Sequence, residues 1–200
     1  VLATGSSRFD LLAYGDIDVL IRTTTWTASR DAGLNSDYAG INFYDGQGIM
    51  IRSDFISAEA AENSIYALDG ANICVGMGTT SEMNIADWAS ASGVSINPVY
   101  VSTTSDAMAE FIDGDCDAYT GDTSALVAHK WMLDTDGTVQ VPIWIAKELL
   151  SKEPLAAVTR DYDSEWNEIV SWVWYGMITA EEMGISSQNY QSADTSVPSI

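Results

Sequence analysis

The chain has 200 residues, of which 46% are hydrophobic, so it can bury the core of one domain or of two small ones. Lys and Arg number 8 against 29 Asp and Glu, a net charge of −21 that argues against nucleic acid and anionic membrane surfaces as partners. The single histidine, His129, excludes most histidine-based metal sites, and no segment is apolar over the ~18 residues of a membrane span. We therefore predict no metal site and no cofactor.

Helices and strands alternate in the predicted secondary structure. In chain order, the predicted helices cover residues 6–13, 58–68, 79–93, 106–112, 122–132 and 164–179. The predicted strands cover residues 17–21, 42–44, 49–51, 72–76, 98–101, 116–119, 139–145 and 156–159. Strands separated by helices predict an α/β fold with mainly parallel sheets. Ligands of such sheets bind outside the carboxyl ends of the strands, which directs attention to residues 23–30, 78–81 and 121–122.

The first of these segments contains a basic residue and two hydroxyls. Arg30 can hold a carboxylate through two parallel hydrogen bonds, or it is an ordinary surface arginine beside one of many acids. Thr23 and Thr25 are two residues apart on an extended segment, so their hydroxyls face the same way. They are candidates for ligand contact, although threonine is also common in strands for packing reasons alone.

The other two segments begin helices and carry complementary chemistry. Free N–H groups at the turn formed by Gly78, Thr79 and Thr80 favour an anion, and the spacing of Thr79 and Glu82 fits a capping box. Asp122 can pair with an ammonium group or act as the N-cap of the next helix. Together with Arg30, these groups match the two poles of an α-amino acid.

Two aromatic residues are candidates for contact with the side chain of such a ligand. These are Trp26 and Tyr44, although aromatic residues more often belong to a core.

The sequence at residues 15–30, Gly-Asp-Ile-Asp-Val-Leu-Ile-Arg-Thr-Thr-Thr-Trp-Thr-Ala-Ser-Arg, resembles the first ligand-binding segment of bacterial solute-binding proteins for polar amino acids. Within that family, it is most similar to the general L-amino acid-binding subgroup of ABC importers. The likeness continues at residues 43–48, 74–80, 116–122 and 151–155, and so covers essentially the whole chain. The resemblance implies a two-lobed periplasmic-binding fold of type II that closes on its ligand.

The resemblance also implies a role for each candidate residue. Arg30 and the turn at Thr79 and Thr80 would hold the α-carboxylate, and Asp122 would pair with the ammonium group. Thr23 and Thr25 would line the cleft, with Thr25 accepting a hydrogen bond from the ammonium. Because Arg30 would belong to one lobe and Asp122 to the other, the ligand would favour the closed state.

The resemblance predicts three divisions of the chain. Residues 1–48 would be part of the first lobe, 49–153 the complete second lobe, and 154–200 a return to the first lobe. Family members begin before Val1 and continue past Ile200, so we expect a partial chain with an incomplete first lobe and a signal peptide upstream. A fragment of this kind is expected to be only marginally stable.

Cys74 and Cys116 are expected to open neighbouring strands, and in the periplasm implied by the family a disulfide between them is favoured over two buried thiols. A catalytic thiol is disfavoured because the only imidazole, that of His129, falls within a predicted helix. We expect His129 on the surface.

The predicted function is binding of a polar amino acid, or of a broad set of L-amino acids, and delivery to the membrane permease of an ABC importer. This function involves no catalysis. Two alternatives stay open. One is an enzyme on the same scaffold, such as a cyclohexadienyl-type dehydratase using Glu82 and Asp122. The other is a ligand-sensing module of a receptor.

Overall fold

The computed structural model describes residues 1–193, which form one mixed sheet with helices packed against it. The helices are α1 (Arg8–Ala13), α2 (Ala28–Gly33), α3 (Thr80–Ser92), α4 (Thr104–Asp113), α5 (Thr123–Asp136) and α6 (Ser164–Glu182), with short 3-10 helices at Ile65–Ala67 and Tyr190–Ser192. The strands are β1 (Ser36–Arg52), β2 (Asn72–Gly76), β3 (Asn97–Val101), β4 (Ala118–Asp122), β5 (Ile143–Ile145) and β6 (Ser151–Arg160).

The sheet runs in the order β3-β2-β4-β1-β5, and β6 also pairs with β1. Strand β2 is parallel to both β3 and β4, whereas β1 is antiparallel to β4, β5 and β6. The sheet is therefore mixed, and the expectation of mainly parallel pairing was wrong in this respect. The cause is β1, a strand of 17 residues that pairs with β6 along its first part and with β4 and β5 along its second.

Strand β1 is one continuous strand where two separate strands, 42–44 and 49–51, were predicted on either side of residues 45–48. The glycines of this stretch are explained by close packing, since a Cβ at Gly48 would lie 2.8 Å from Thr123 Oγ1. The predicted division into 1–48, 49–153 and 154–200 remains a prediction. Its first boundary falls inside β1 and its second inside β6, and both strands continue across the boundary.

Two other predicted elements differ from the structure. The strand expected at 17–21 is reduced to a single bridge between Leu20 and Val158. The helix expected over 58–68 is a series of turns ending in the first 3-10 helix, because Glu62 and Asn63 have φ of 52° and 55°. An α-helix cannot continue through residues in the left-handed region.

The helix ends follow from capping chemistry. Thr79 accepts a hydrogen bond from the Glu82 amide at 3.2 Å, and α3 ends at Gly93, as predicted. The capping box is incomplete, however, because the Glu82 carboxylate accepts from the Gly78 amide at 2.7 Å. Thr103 and Asp106 form the reciprocal capping box at the start of α4.

The largest core cluster surrounds the central strands and includes Ile49, Ile51, Ile73 and Val75, all fully buried. The predicted disulfide is present beside it: Cys74 and Cys116 are bonded, with Cα atoms 5.7 Å apart. In contrast, α6 buries none of its residues, and its Trp172 side chain is 63% exposed. Over residues 1–193, no helix combines the length and apolar character needed to cross a membrane.

Candidate functional site

A cavity of about 250 Å³ opens at the carboxyl ends of the three parallel strands. Its lining residues come from the ends of β2, β3 and β4, from the turns and helices that follow these strands, and from the segments before, within and after α1: Gly5, Arg8, Arg22, Thr23, Gly76, Met77, Thr79, Thr80, Ser81, Val101, Ser102, Thr103, Thr104, Tyr119, Thr120, Gly121, Asp122, Ala125 and His129. The cavity thus lies where the rule for parallel α/β sheets places a ligand. The segment after β3 was not anticipated from the sequence.

The structure brings four of the predicted ligand residues together in this cavity. They are Thr23, Thr79, Thr80 and Asp122. Thr23 adopts φ of 30°, an unusual conformation for a β-branched residue, and its carbonyl accepts from Arg8 Nη1 at 3.3 Å. The remaining five predicted residues lie outside the cavity lining and are described next.

Arg30 is buried beside the cavity, with 6% of its surface exposed. Its Nη1 donates to the carbonyl oxygen of Thr25 at 3.0 Å, and its guanidinium lies 5.4 Å from the ring centroid of Phe9. Burial lowers the pKa of Arg30, and the negative charges of Glu153 and Asp122 are close enough to oppose that shift. The alternative of an ordinary surface arginine is therefore wrong.

Thr25 is buried, and its hydroxyl donates to the Glu153 carboxylate. Trp26 stacks on Tyr38 at 5.2 Å and donates to Asp31 at 3.1 Å, so its ring is held by these two residues. Tyr44 is 77% exposed and reaches neither the core nor the cavity.

Gly78 supports the cavity through its backbone. It has φ of 69°, and a Cβ at this position would lie 2.8 Å from the Cα of Ser6. Gly5 is similarly close, with a Cβ position 2.5 Å from the Met77 carbonyl oxygen. Glycine at these two positions lets the segment before α1 pack directly against the turn before α3.

Two arginines that were not predicted line the cavity. Arg8 is 2% exposed and donates through Nη1 to the Arg22 carbonyl at 3.3 Å, while its Nε is buried without a hydrogen-bond partner in the described part of the chain. The pKa of Arg8 is lowered to about 10, mainly by burial and to a smaller extent by the positive charges of Arg30 and Arg22. Three of the eight basic residues of this acidic chain therefore cluster at one site.

Asp122 supplies the opposite charge. It occupies the N-cap position of α5, but its side chain makes no capping hydrogen bond, so its carboxylate is left for other partners. The pKa of Asp122 is raised to about 6, and burial is the main cause. The negative charges of Asp45 and Glu153 also raise this pKa, and the positive charges of Arg8 and Arg22 lower it by less. An unpaired, partly buried carboxylate of this kind favours a cationic partner.

His129, which was expected on the surface, is half-buried and lines the cavity, with its ring 6.3 Å from that of Tyr119. Burial lowers the pKa of His129, which favours the neutral imidazole. Within residues 1–193, no group of three or more His, Cys, Asp or Glu side chains has the arrangement of a metal site.

Arg8 and His129 were missed because no sequence motif marks them, and Arg22 was missed although it lies within the segment at residues 15–30. One signal was available: in a chain with 8 basic and 29 acidic residues, each arginine near a strand end is a candidate for an anionic ligand.

No family profile matches the chain, but individual proteins do. The glutamate/glutamine/aspartate/asparagine-binding protein BztA of Rhodobacter capsulatus is 41% identical over 199 residues, covering 98% of this chain and 56% of BztA. The general L-amino acid-binding periplasmic protein AapJ of Rhizobium johnstonii is 40% identical over 183 residues, covering 91% of this chain and 51% of AapJ. The chain thus spans about half the length of these curated relatives.

Solved structures agree in fold. A periplasmic binding protein of an ABC transporter from Brucella ovis, with glutathione bound, superposes with a TM-score of 0.86 at 40% identity, covering 98% of this chain and 60% of that one. A mutant arginine-binding protein from T. maritima, at 23% identity, has a TM-score of 0.74 and supports the fold alone.

These names describe periplasmic proteins or binding proteins, in agreement with the predicted periplasmic location and with the prediction of binding without catalysis. The α/β periplasmic-binding fold of type II is confirmed as well. Along nearly its whole length, the chain is similar to polar amino acid solute-binding proteins of ABC transporters.

Proposed function

We propose that this chain is the ligand-binding part of a periplasmic protein that captures an L-amino acid and delivers it to the membrane permease of an ABC importer. The proposal depends on one cavity that is lined by Asp122, whose carboxylate makes no capping hydrogen bond, and by Arg8 and Arg22. The positive charge of Arg30 lies close to that of Arg8. A zwitterion carries an ammonium group that can pair with the carboxylate and a carboxylate that can pair with the arginines.

The ammonium group of the ligand pairs with Asp122 in this proposal. The ionised carboxylate is costly in its half-buried position, and a cation would offset that cost. The α-carboxylate binds at the start of α3, where the first backbone N–H groups beyond the Thr79 cap are available, and Arg30 lies nearby to add positive charge.

The side chain of the ligand meets the remaining positive charge. Arg8 and Arg22 both line the cavity, and a guanidinium group carries only hydrogen-bond donors. These donors favour a side chain that ends in a carboxylate or a carboxamide. The substrates in the name of BztA, glutamate, glutamine, aspartate and asparagine, have this chemistry, and we propose the same class here.

We also propose that binding closes two lobes, with boundaries near 1–48, 49–153 and 154–200. In support, the cavity is lined on one side by residues 5–23 and on the other by residues 76–129. A ligand that touches both sets has a higher affinity for the state in which they are close together, which shifts the population toward closure.

Titration calorimetry on the full-length protein tests the proposal. We expect saturable heat with L-glutamate, L-glutamine, L-aspartate or L-asparagine, and affinity at least about tenfold lower after Arg30→Ala. Arg160→Ala is the matched control, because Arg160 pairs with Asp18 outside the cavity. The absence of saturable heat with any L-amino acid, or turnover of a cyclohexadienyl substrate, would refute the proposal.

A further inference from the structure

The motif at residues 151–155 plays no part in the recognition described so far, yet it holds a fully buried carboxylate. Glu153 is 1% exposed and lies on β6 opposite Asp45 of β1. No ion pair among the described residues includes it. A buried carboxylate without a cationic partner requires several hydrogen-bond donors to offset its lost hydration.

Four side chains supply those donors. Oε2 accepts from the hydroxyls of Thr25 and Thr80, the latter at 2.9 Å, and Oε1 accepts from Asn84 Nδ2 at 3.0 Å and from the hydroxyl of Ser151. An ionised carboxylate is an acceptor only and has about four lone-pair positions, so this environment matches the ionised form. The donors come from the segment before α2, from α3 and from β6.

The network continues through Gln47, which is fully buried on β1. Asn84 donates to Gln47 Oε1 at 2.9 Å, and Gln47 Nε2 donates to Thr120 Oγ1 at 2.9 Å and to the Ser81 carbonyl at 3.1 Å. These hydrogen bonds fix the orientation of both side-chain amides. Asn84 can therefore only donate to Glu153, and the Glu153 carboxylate acts only as an acceptor.

The consequence for a ligand concerns Thr80, which lines the cavity. A hydroxyl has one hydrogen, and Thr80 gives it to Glu153, so toward the cavity Thr80 has only lone pairs to offer. Thr25, whose hydroxyl oxygen is 3.4 Å from that of Thr80, is held in the same way. Such hydroxyls accept from an ammonium group and make no hydrogen bond to a carboxylate.

We propose that Glu153 is a positioning residue for ligand recognition: by taking the hydroxyl hydrogens of Thr25 and Thr80, it makes Thr80 an obligate acceptor for the ligand's ammonium group. This inference rests on the proposed function, and it adds that selection for the amino group depends on a residue that the ligand does not touch. Backbone N–H groups at the same turn remain the donors for the carboxylate.

The test is the ratio of affinities for L-glutamate and for glutarate, its analogue without the amino group, measured by calorimetry on the full-length protein. In Glu153→Gln, the new amide donates to one of the threonine hydroxyls, which turns its hydrogen away. We expect the preference for L-glutamate over glutarate to fall about tenfold, as for one hydrogen bond to a charged group. Glu168→Gln, the same change at an exposed site on α6, should leave the ratio unchanged.

Two variants of Thr80 keep the test valid if Glu153→Gln does not fold. Thr80→Val should reduce the ratio to the same extent, and Thr80→Ser, which keeps the hydroxyl, should preserve it. Equal loss of affinity for both ligands in Glu153→Gln or in Thr80→Val would overturn the inference and leave the proposed function standing. If the wild type binds neither L-glutamate nor any other L-amino acid, both proposals fail.

Discussion

Arg8 and Asp122 line the same cavity although they lie far apart in the sequence. Burial is the main cause of both pKa shifts, which lower the pKa of Arg8 to about 10 and raise that of Asp122 to about 6. Each charge partly offsets the shift of the other. The two groups therefore belong to one electrostatic unit, which sets the protonation behaviour of Asp122.

Asp122→Asn should stabilise the unliganded protein at pH 7 and abolish high-affinity amino acid binding. The raised pKa means that the folded state binds the Asp122 proton more tightly than the unfolded state, so the ionised carboxylate opposes folding above pH 6. Its contribution to stability is complete below about pH 4 and is lost as the pH rises through about 6. Thermal unfolding at pH 7 should show a higher Tm for the variant.

Asp87→Asn is the control for this change, because Asp87 is an exposed residue in the middle of α3. A lower Tm for Asp122→Asn than for the wild type at pH 7 would show that the carboxylate contributes to the fold instead of opposing it.

The affinity for the amino acid should decrease as the pH falls below 6. An ammonium group pairs with the ionised form of Asp122, whose pKa in the unliganded protein is about 6. At pH 5 only about a tenth of the carboxylate is ionised, so we expect Kd to be about tenfold higher than at pH 7. Calorimetry in buffers with different ionisation enthalpies should also detect proton release on binding near pH 6. A Kd that is constant from pH 5 to 7 would contradict the assignment.

Gly78→Ala should lower the free energy of unfolding by about 1–3 kcal/mol more than Gly93→Ala does. Both glycines have positive φ, 69° and 75°, so both alanines are strained. Only at Gly78 would the new Cβ meet backbone, 2.8 Å from the Cα of Ser6, whereas nothing lies within 4 Å at Gly93. Urea denaturation of the two variants compares them directly. Equal losses would show that the segment at Ser6 moves aside at no cost.

Removing the disulfide should destabilise the protein by about 4 kcal/mol, the chain-entropy value for a closed loop of this length. The bond joins Cys74 and Cys116, which are separated by 42 residues. Denaturant unfolding of the Cys74→Ala/Cys116→Ala double variant should show this loss, and a reductant should lower the stability of the wild type alone. A double variant as stable as the oxidised wild type would show that the loop is already restrained in the unfolded state.

Several features of the fold could be predicted because their causes are local in sequence. Thr79 caps α3 through the amide three residues later, and Gly93 and Gly114 end helices in the left-handed conformation, so a short stretch of sequence decides each boundary. The cavity residues that follow β2 and end β4 were predictable for the same reason, whereas those that follow β3 were not anticipated. The helix expected over 58–68 was wrong because Glu62 and Asn63 adopt positive φ, which no α-helix continues through.

The sequence by itself determined the family resemblance and the α/β fold, and it predicted two of the strand ends at the cavity, since these depend on motifs and on periodicity along the chain. Only the tertiary structure decided that Arg8 and Arg22 line the cavity while Trp26 and Tyr44 do not. It also decided that the hydroxyl of Thr25 is committed to Glu153. The physical reason is that the burial and the hydrogen-bond partners of a side chain depend on segments that come together only in the folded protein. A side chain that could bind a ligand can instead be occupied by a neighbouring residue.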